Sequence, residues 1–183
     1  MEGRTSGFLL RRFRFSESSF IIVWLKRDFG KIKKSASGVL KAKSRFAGAV
    51  DIFYLSEINV LKSPKASGEI WNLCDESLER SFAGCERVRY LACSVAAYFS
   101  SLLDATTHIE EPCGELFDLL DRALRYLDGN VPDMPAVRHF EKELCRGLGL
   151  GLAGGEVPHQ VLMDYTGKAL AGRKEIVEQL KNR

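Results

Sequence analysis

Near Ser77 the spacing of apolar residues changes, so two kinds of secondary structure must follow one another in this chain. Before that point, short runs rich in β-branched and aromatic residues, at 8–15, 20–26, 31–39, 49–61 and 69–75, predict five strands. Turn-forming stretches separate them: Ser16-Glu17-Ser18-Ser19, then Arg27-Asp28-Phe29-Gly30 with Gly30 able to take a positive φ, and the Pro- and Gly-containing 62–68. Gly38 inside the third run points to a bulge or a close backbone approach. A basic connection, 40–46, follows the third strand. Five strands with that connection fit a small closed barrel of OB type better than an open sheet.

After Ser77 the period is about 3.6. Val88, Leu91, Ala92, Val95, Phe99, Leu102 and Leu103 then share one helix face. Pro112 and Gly129 bracket a second helix, whose buried side would hold Leu116, Leu120, Ala123, Leu124 and Leu127. Asp133 and Pro135 open a third, carrying Val137, Phe140, Leu144 and Leu148. Glycines at 147, 149, 151, 154 and 155 dissolve the pattern, which predicts a flexible segment over about 147–157, before a final amphipathic helix over about 172–181. The expected fold class is α+β. A five-stranded OB-fold barrel in residues 1–79 precedes a small α-helical domain in residues 80–183.

Charge follows nearly the same division. The 183 residues carry 27 Lys+Arg against 24 Asp+Glu, a net of +3, but the first 68 hold 14 basic and 5 acidic residues, a net of +9. The remainder is therefore at −6. A basic region suits a polyanion, and an acidic helical one suits protein contacts. With 45% hydrophobic and 28% charged residues, the composition excludes a disordered tail, a collagen-like chain and a disulfide miniprotein. No apolar run approaches the roughly 20 residues of a spanning helix, and no secretory apolar segment follows the charged N-terminus. A soluble, cytoplasmic protein is the expectation.

Catalytic and metal signatures are missing. There is no G-x-S-x-G, H-E-x-x-H or Walker A pattern. The five cysteines, Cys74, Cys85, Cys93, Cys113 and Cys145, form no C-x-x-C pair, and His108, His139 and His159 lie far apart. Reduced thiols on helix faces are expected, with no metal and no cofactor. Asp118 and Asp121 read as a solvated helix edge rather than an acid/base pair. The chain reads as a binding protein and not an enzyme.

The candidate binding residues are the cations Arg11, Arg12, Arg14, Lys31, Lys33, Lys34, Lys41, Lys43 and Arg45, with Lys26 and Arg27 nearby. Phe13, Phe15, Phe20, Trp24 and Phe46 are interleaved with them. Binding an unpaired strand needs this mixture, because phosphates require neutralising and every base offers a π-face. Phe46, inside the basic loop, is the chosen stacking residue, and Phe8, Phe20 and Phe53 are assigned to the core. The cations are expected to form one continuous face. Two other readings share these residues: an adaptor whose charge docks an acidic protein, and an RNA-binding OB protein of translation.

The same residues resemble the bacterial RecO family of recombination-repair mediators. Met1-Glu2-Gly3, Phe8 with Leu10, and Ser16-Glu17-Ser18-Ser19 are similar to its N-terminal signature; Phe29-Gly30-Lys31-Ile32 and Lys43-Ser44-Arg45-Phe46-Ala47-Gly48-Ala49 resemble its later barrel motifs. Glu115-Leu116-Phe117-Asp118-Leu119-Leu120, His139-Phe140-Glu141 with Leu144, and Leu148-Gly149 resemble its helical part. The likeness covers about 1–150. It implies a protein that binds single- and double-stranded DNA, anneals complementary strands without ATP, and acts with RecR to help RecA load on DNA coated by single-strand-binding protein (SSB). It also implies SSB's acidic, hydrophobic C-terminal tail as a partner of the helical domain, and a nucleoid-associated location. Some relatives carry four zinc-binding cysteines after the third helix, whereas 147–157 has none here, so no zinc is expected. Ser37 and Leu40 stand where the family often has basic residues. With the sequence ending at Arg183, a reduced helical domain is expected.

Overall fold

The computed structural model describes residues 3–17, 19–36, 52–61, 70–82, 90–152 and 154–181. Five strands, β1 (Gly3–Arg14), β2 (Phe20–Lys26), β3 (Gly30–Ala36), β4 (Tyr54–Leu61) and β5 (Ile70–Ser81), close into a barrel in the order β1-β2-β3-β5-β4. The neighbours are antiparallel except β3 and β5, which run parallel through Lys33↔Ile70, Lys34↔Trp71 and Ser35↔Asn72. This is an OB-fold, as the strand-and-loop pattern predicts. Helices α1 (Tyr90–Thr106), α2 (Gly114–Gly129), α3 (Met134–Gly147), α4 (Pro158–Thr166) and α5 (Arg173–Lys181) follow.

Leu9, Ile22, Trp24, Ile32 and Ile58 fill the barrel, with Phe20 and Ile52 packed against them. These residues come from four strands at alternating positions, as period-2 side-chain direction requires. β2 is buried on both faces from Ile21 to Lys26, which explains why its sequence shows no polar alternation. Phe8, adjacent to Leu9, points the other way and meets Phe117 with ring centroids 4.9 Å apart. Phe53 is also buried.

The chain divides into two compact units, and the division is not a single cut. One unit joins residues 1–81 to 107–117; the other joins 82–106 to 118–183. The returning segment 107–117 adds to the barrel at β3, where the Glu110 N–H donates to Lys31 O at 2.9 Å and Ile109 bridges Lys31 in parallel. It passes so close that a Cβ on Gly30, whose φ is +67°, would stand 1.7 Å from Glu111 O. Nothing in the local pattern around 107–117 signals this contact.

In the helical unit, Phe99 of α1 stacks on Phe140 of α3, with centroids 3.8 Å apart and planes at 10°. Leu102, Leu103, Leu120, Leu124, Leu127, Val137 and Leu144 complete the buried face. Asp133 caps α3 by accepting from Ala136 N–H at 2.8 Å, with Pro135 in the first turn. At the other end Leu148, expected as a buried position of this helix, lies at its C-cap and is half-buried. A buried node crosses three helices: Glu141 Oε1 accepts from Tyr98 Oη at 2.7 Å and from Arg173 Nε at 2.6 Å, and Glu141 Oε2 accepts from Arg173 Nη2 at 3.3 Å. Between Gly147 and Val157 the described residues include turns at 148–149 and 154–155, with Gly149 and Gly155 at positive φ, and α4 follows directly.

Candidate nucleic-acid interface

β1 and β2 form a hairpin whose outer half carries the cations. The ladder runs Leu9↔Trp24, then skips Leu10 and resumes at Arg11↔Val23, Arg12↔Ile22, Phe13↔Ile21 and Arg14↔Phe20. The extra residue at Leu10 is a bulge, and it exchanges the two faces for everything beyond it. Had the ladder continued evenly, Arg11 and Phe13 would have followed Leu9 toward the core. Instead they lie in the rows of Val23 and Ile21, and residues 11–17 are all exposed.

On one side of the hairpin are Arg11 and Phe13. Phe15 follows the end of β1, and its N–H donates to Ser19 O at 2.9 Å. The Arg11 guanidinium lies 5.5 Å from the centre of the Phe13 ring. Lys33 continues this row through Val23, placing its backbone about 10 Å from that of Arg11 at two strand spacings. Arg12 and Arg14 occupy the other side, where the Arg12 guanidinium lies 5.7 Å from the Phe20 ring. Arg14 Nε donates to Ser16 O at 3.2 Å and its Nη2 to Glu17 O at 3.3 Å, tying a cation to the tip. The described hairpin cations do not share one side: Arg11 lies opposite Arg12 and Arg14. The strand alternates its side chains, so consecutive arginines fall on both sides of the hairpin.

The remaining candidates divide by location. Lys31 and Lys33 are half-buried on β3, and Lys31 lies where Glu110 and Ile109 join the strand. Lys34 is fixed in register with Ile22 and Trp71. Lys41, Lys43, Arg45 and Phe46 lie outside the described residues, as does Gly38. Lys26 is buried, with its ammonium 4.5 Å from the centre of the Phe29 ring. Desolvation lowers its pKa to about 8 against a smaller raising effect of Asp28. It is not part of an exposed cationic surface. Of the described aromatics interleaved with the cations, Phe20 is half-buried and Trp24 buried, whereas Phe13 and Phe15 stand in solvent, at 42% and 66% exposure. Strand pattern alone did not single them out, because the bulge that turns Phe13 outward leaves no mark in composition.

The helical unit has a groove of ≈ 470 Å³ lined by Phe99, Leu119, Tyr126, Pro135 and Phe140, with Arg122 and His139 among its polar residues. Among the described residues no group of three or more His, Cys, Asp or Glu is arranged to hold a metal ion. Cys93, Cys113 and Cys145 are in no disulfide among the described residues; burial is the main cause pushing Cys113 up to about 11, with Glu111 adding to it. No described helix is long and apolar enough to cross a membrane.

A closed OB barrel bearing a basic, aromatic hairpin, continued in one chain by a helical unit, defines the class. Comparison with known proteins narrows it. Residues 1–68 match the model "Recombination protein O N terminal", and residues 87–154 match "Recombination protein O C terminal". A DNA repair protein RecO of Rhodopirellula baltica is 30% identical over 142 residues, covering 77% of this chain and 51% of that protein. One from Anaeromyxobacter dehalogenans is 30% identical over 148 residues, covering 80% and 57%. One from Listeria monocytogenes is 25% identical over 147 residues, covering 80% and 56%. The chain belongs to the RecO family. It spans about half the length of these curated relatives.

Proposed function

We propose that this protein is a DNA repair and recombination mediator. It binds single- and double-stranded DNA, anneals complementary strands without ATP, and acts with RecR to help RecA load on SSB-coated DNA. The observation that carries this reading is the β1–β2 hairpin with Arg11, Arg12 and Arg14 exposed beside Phe13 and Phe15, on a barrel that belongs to this family. Annealing needs no bond chemistry. Two strands repel through their phosphates, and a basic surface lowers that repulsion while concentrating both strands. Cations on both sides of one hairpin suit this task, since each side can hold a separate backbone.

The groove between α2 and α3 supports SSB's tail as the second partner. An acidic, hydrophobic peptide end matches apolar walls of Phe99, Leu119 and Phe140 with Arg122 beside them, although Asp133 also lines the groove. The test is a fluorescence annealing assay with complementary oligonucleotides, bare and SSB-coated. The expected result is faster annealing of both without ATP. Annealing no faster than the spontaneous rate on bare strands contradicts the reading, and success only on bare strands contradicts the SSB part.

A further inference from the structure

We propose that Phe13 and Phe15 form a stacking platform for unpaired nucleobases, so that the hairpin distinguishes single strands from duplex; the proposal rests on the DNA-binding reading above. Phe13 and Phe15, two residues apart on one hairpin, both stand in solvent, and Phe15 is the most exposed phenylalanine among those described, at 66%. Phe13 shares one side of the hairpin with Arg11, and Phe15 follows two residues later at the tip. A guanidinium 5.5 Å from the centre of the Phe13 ring makes a mixed surface, able to meet a phosphate and the adjoining base together. Strand alternation sends positions 11 and 13 the same way, and the turn that follows Arg14 carries Phe15. The tip is braced by Phe15 N–H and Ser16 N–H both donating to Ser19 O, at 2.9 and 3.2 Å, and by Arg14 on Ser16 O and Glu17 O. Rings on a braced turn lose little freedom when a base settles on them. A protein ligand with an apolar face is the competing occupant. Three arginines within four consecutive positions, with no Asp or Glu among 8–16, favour a polyanion that carries π-faces.

The test compares two labelled oligomers of roughly 16 nucleotides, one of thymidine and one abasic, with equal phosphate counts. Anisotropy titrations of the full chain at matched salt are expected to give about tenfold or more tighter binding of the thymidine oligomer. Phe13→Ala and Phe15→Ala each lose part of that preference, and the double variant binds both oligomers alike with an unchanged salt slope. Phe15→Trp retains the preference, and unchanged thermal unfolding of the variants excludes a folding effect. If the wild-type chain binds both oligomers equally with steep salt dependence, the platform is overturned while DNA binding stands. Binding to neither overturns both. A double variant that keeps the full preference also overturns the platform, and leaves a protein ligand as the role of the rings.

Discussion

Gly30 and Lys26 show how single residues carry long-range constraints. Gly30 was legible as a turn residue, but what forbids a side chain there is the backbone of Glu111, 1.7 Å from where a Cβ would stand. Gly30→Ala should therefore destabilise the barrel by more than about 2 kcal/mol, combining positive-φ strain with displacement of segment 107–117. Gly129→Ala has nothing within 4 Å of the new methyl, and should be neutral or stabilising by up to about 1 kcal/mol. Urea unfolding of both variants measures the contrast, and equal effects would refute it. Lys26 looked like one more surface cation because all of 21–26 is buried and no polar face betrays its position. Its folded pKa of about 8 lies below the ordinary 10.5, so between those values the unfolded chain holds a proton that the folded one has released. Stability attributable to this group is lowest below pH 8 and rises with pH up to about 10.5, by up to about 3 kcal/mol. Lys26→Met should raise the urea midpoint at pH 7 and abolish this alkaline gain.

At the level of elements, the helices were the most readable part. The expected helix over 88–103 is α1 at Tyr90–Thr106, with Leu91, Ala92, Val95, Phe99, Leu102 and Leu103 buried as the spacing required; Val88 lies outside the described residues. The Asp133–Pro135 start is the observed cap of α3. Two kinds of element escaped. α4 has only nine residues and little periodic signal, and it hid beside the glycines read as flexible. β1 begins at Gly3, five residues before the expected 8–15, because pairing with β4 from Gly3↔Val60 to Phe8↔Leu55 orders Gly3, Thr5, Ser6 and Gly7, a stretch that is not strand-like by pattern. The node of Tyr98, Glu141 and Arg173 was unreadable because its members lie on three helices far apart in sequence. Glu141 is fully buried, so removing its charge strands the Arg173 guanidinium. Glu141→Gln should cost about 3 kcal/mol in denaturant unfolding, whereas Asp133→Ala, losing one exposed cap bond, should cost about 1 kcal/mol. A loss at Glu141 no larger than at Asp133 would mean that the node adds nothing beyond a hydrogen bond.

Across the whole molecule, the sequence located the charge but not its shape. The excess of +9 in the first 68 residues does supply the exposed arginines of the hairpin. Strand alternation spreads them over both sides, and the one skipped residue at Leu10 decides which side each takes, a backbone event that composition does not encode. If phosphate neutralisation drives binding, Lys41, Lys43 and Arg45 replaced together by Ala should weaken all single-stranded sequences alike, because backbone contacts carry no base information. A changed sequence preference would instead indicate base readout. The most direct measurement is the affinity of the full chain for a single-stranded thymidine oligomer as a function of salt. With about six phosphates neutralised, log K should fall against log salt with a slope near roughly −4, and replacing Arg11, Arg12 and Arg14 by Ala should reduce its magnitude by about 2. An affinity independent of salt, or a slope untouched by removing those three arginines, would contradict the account.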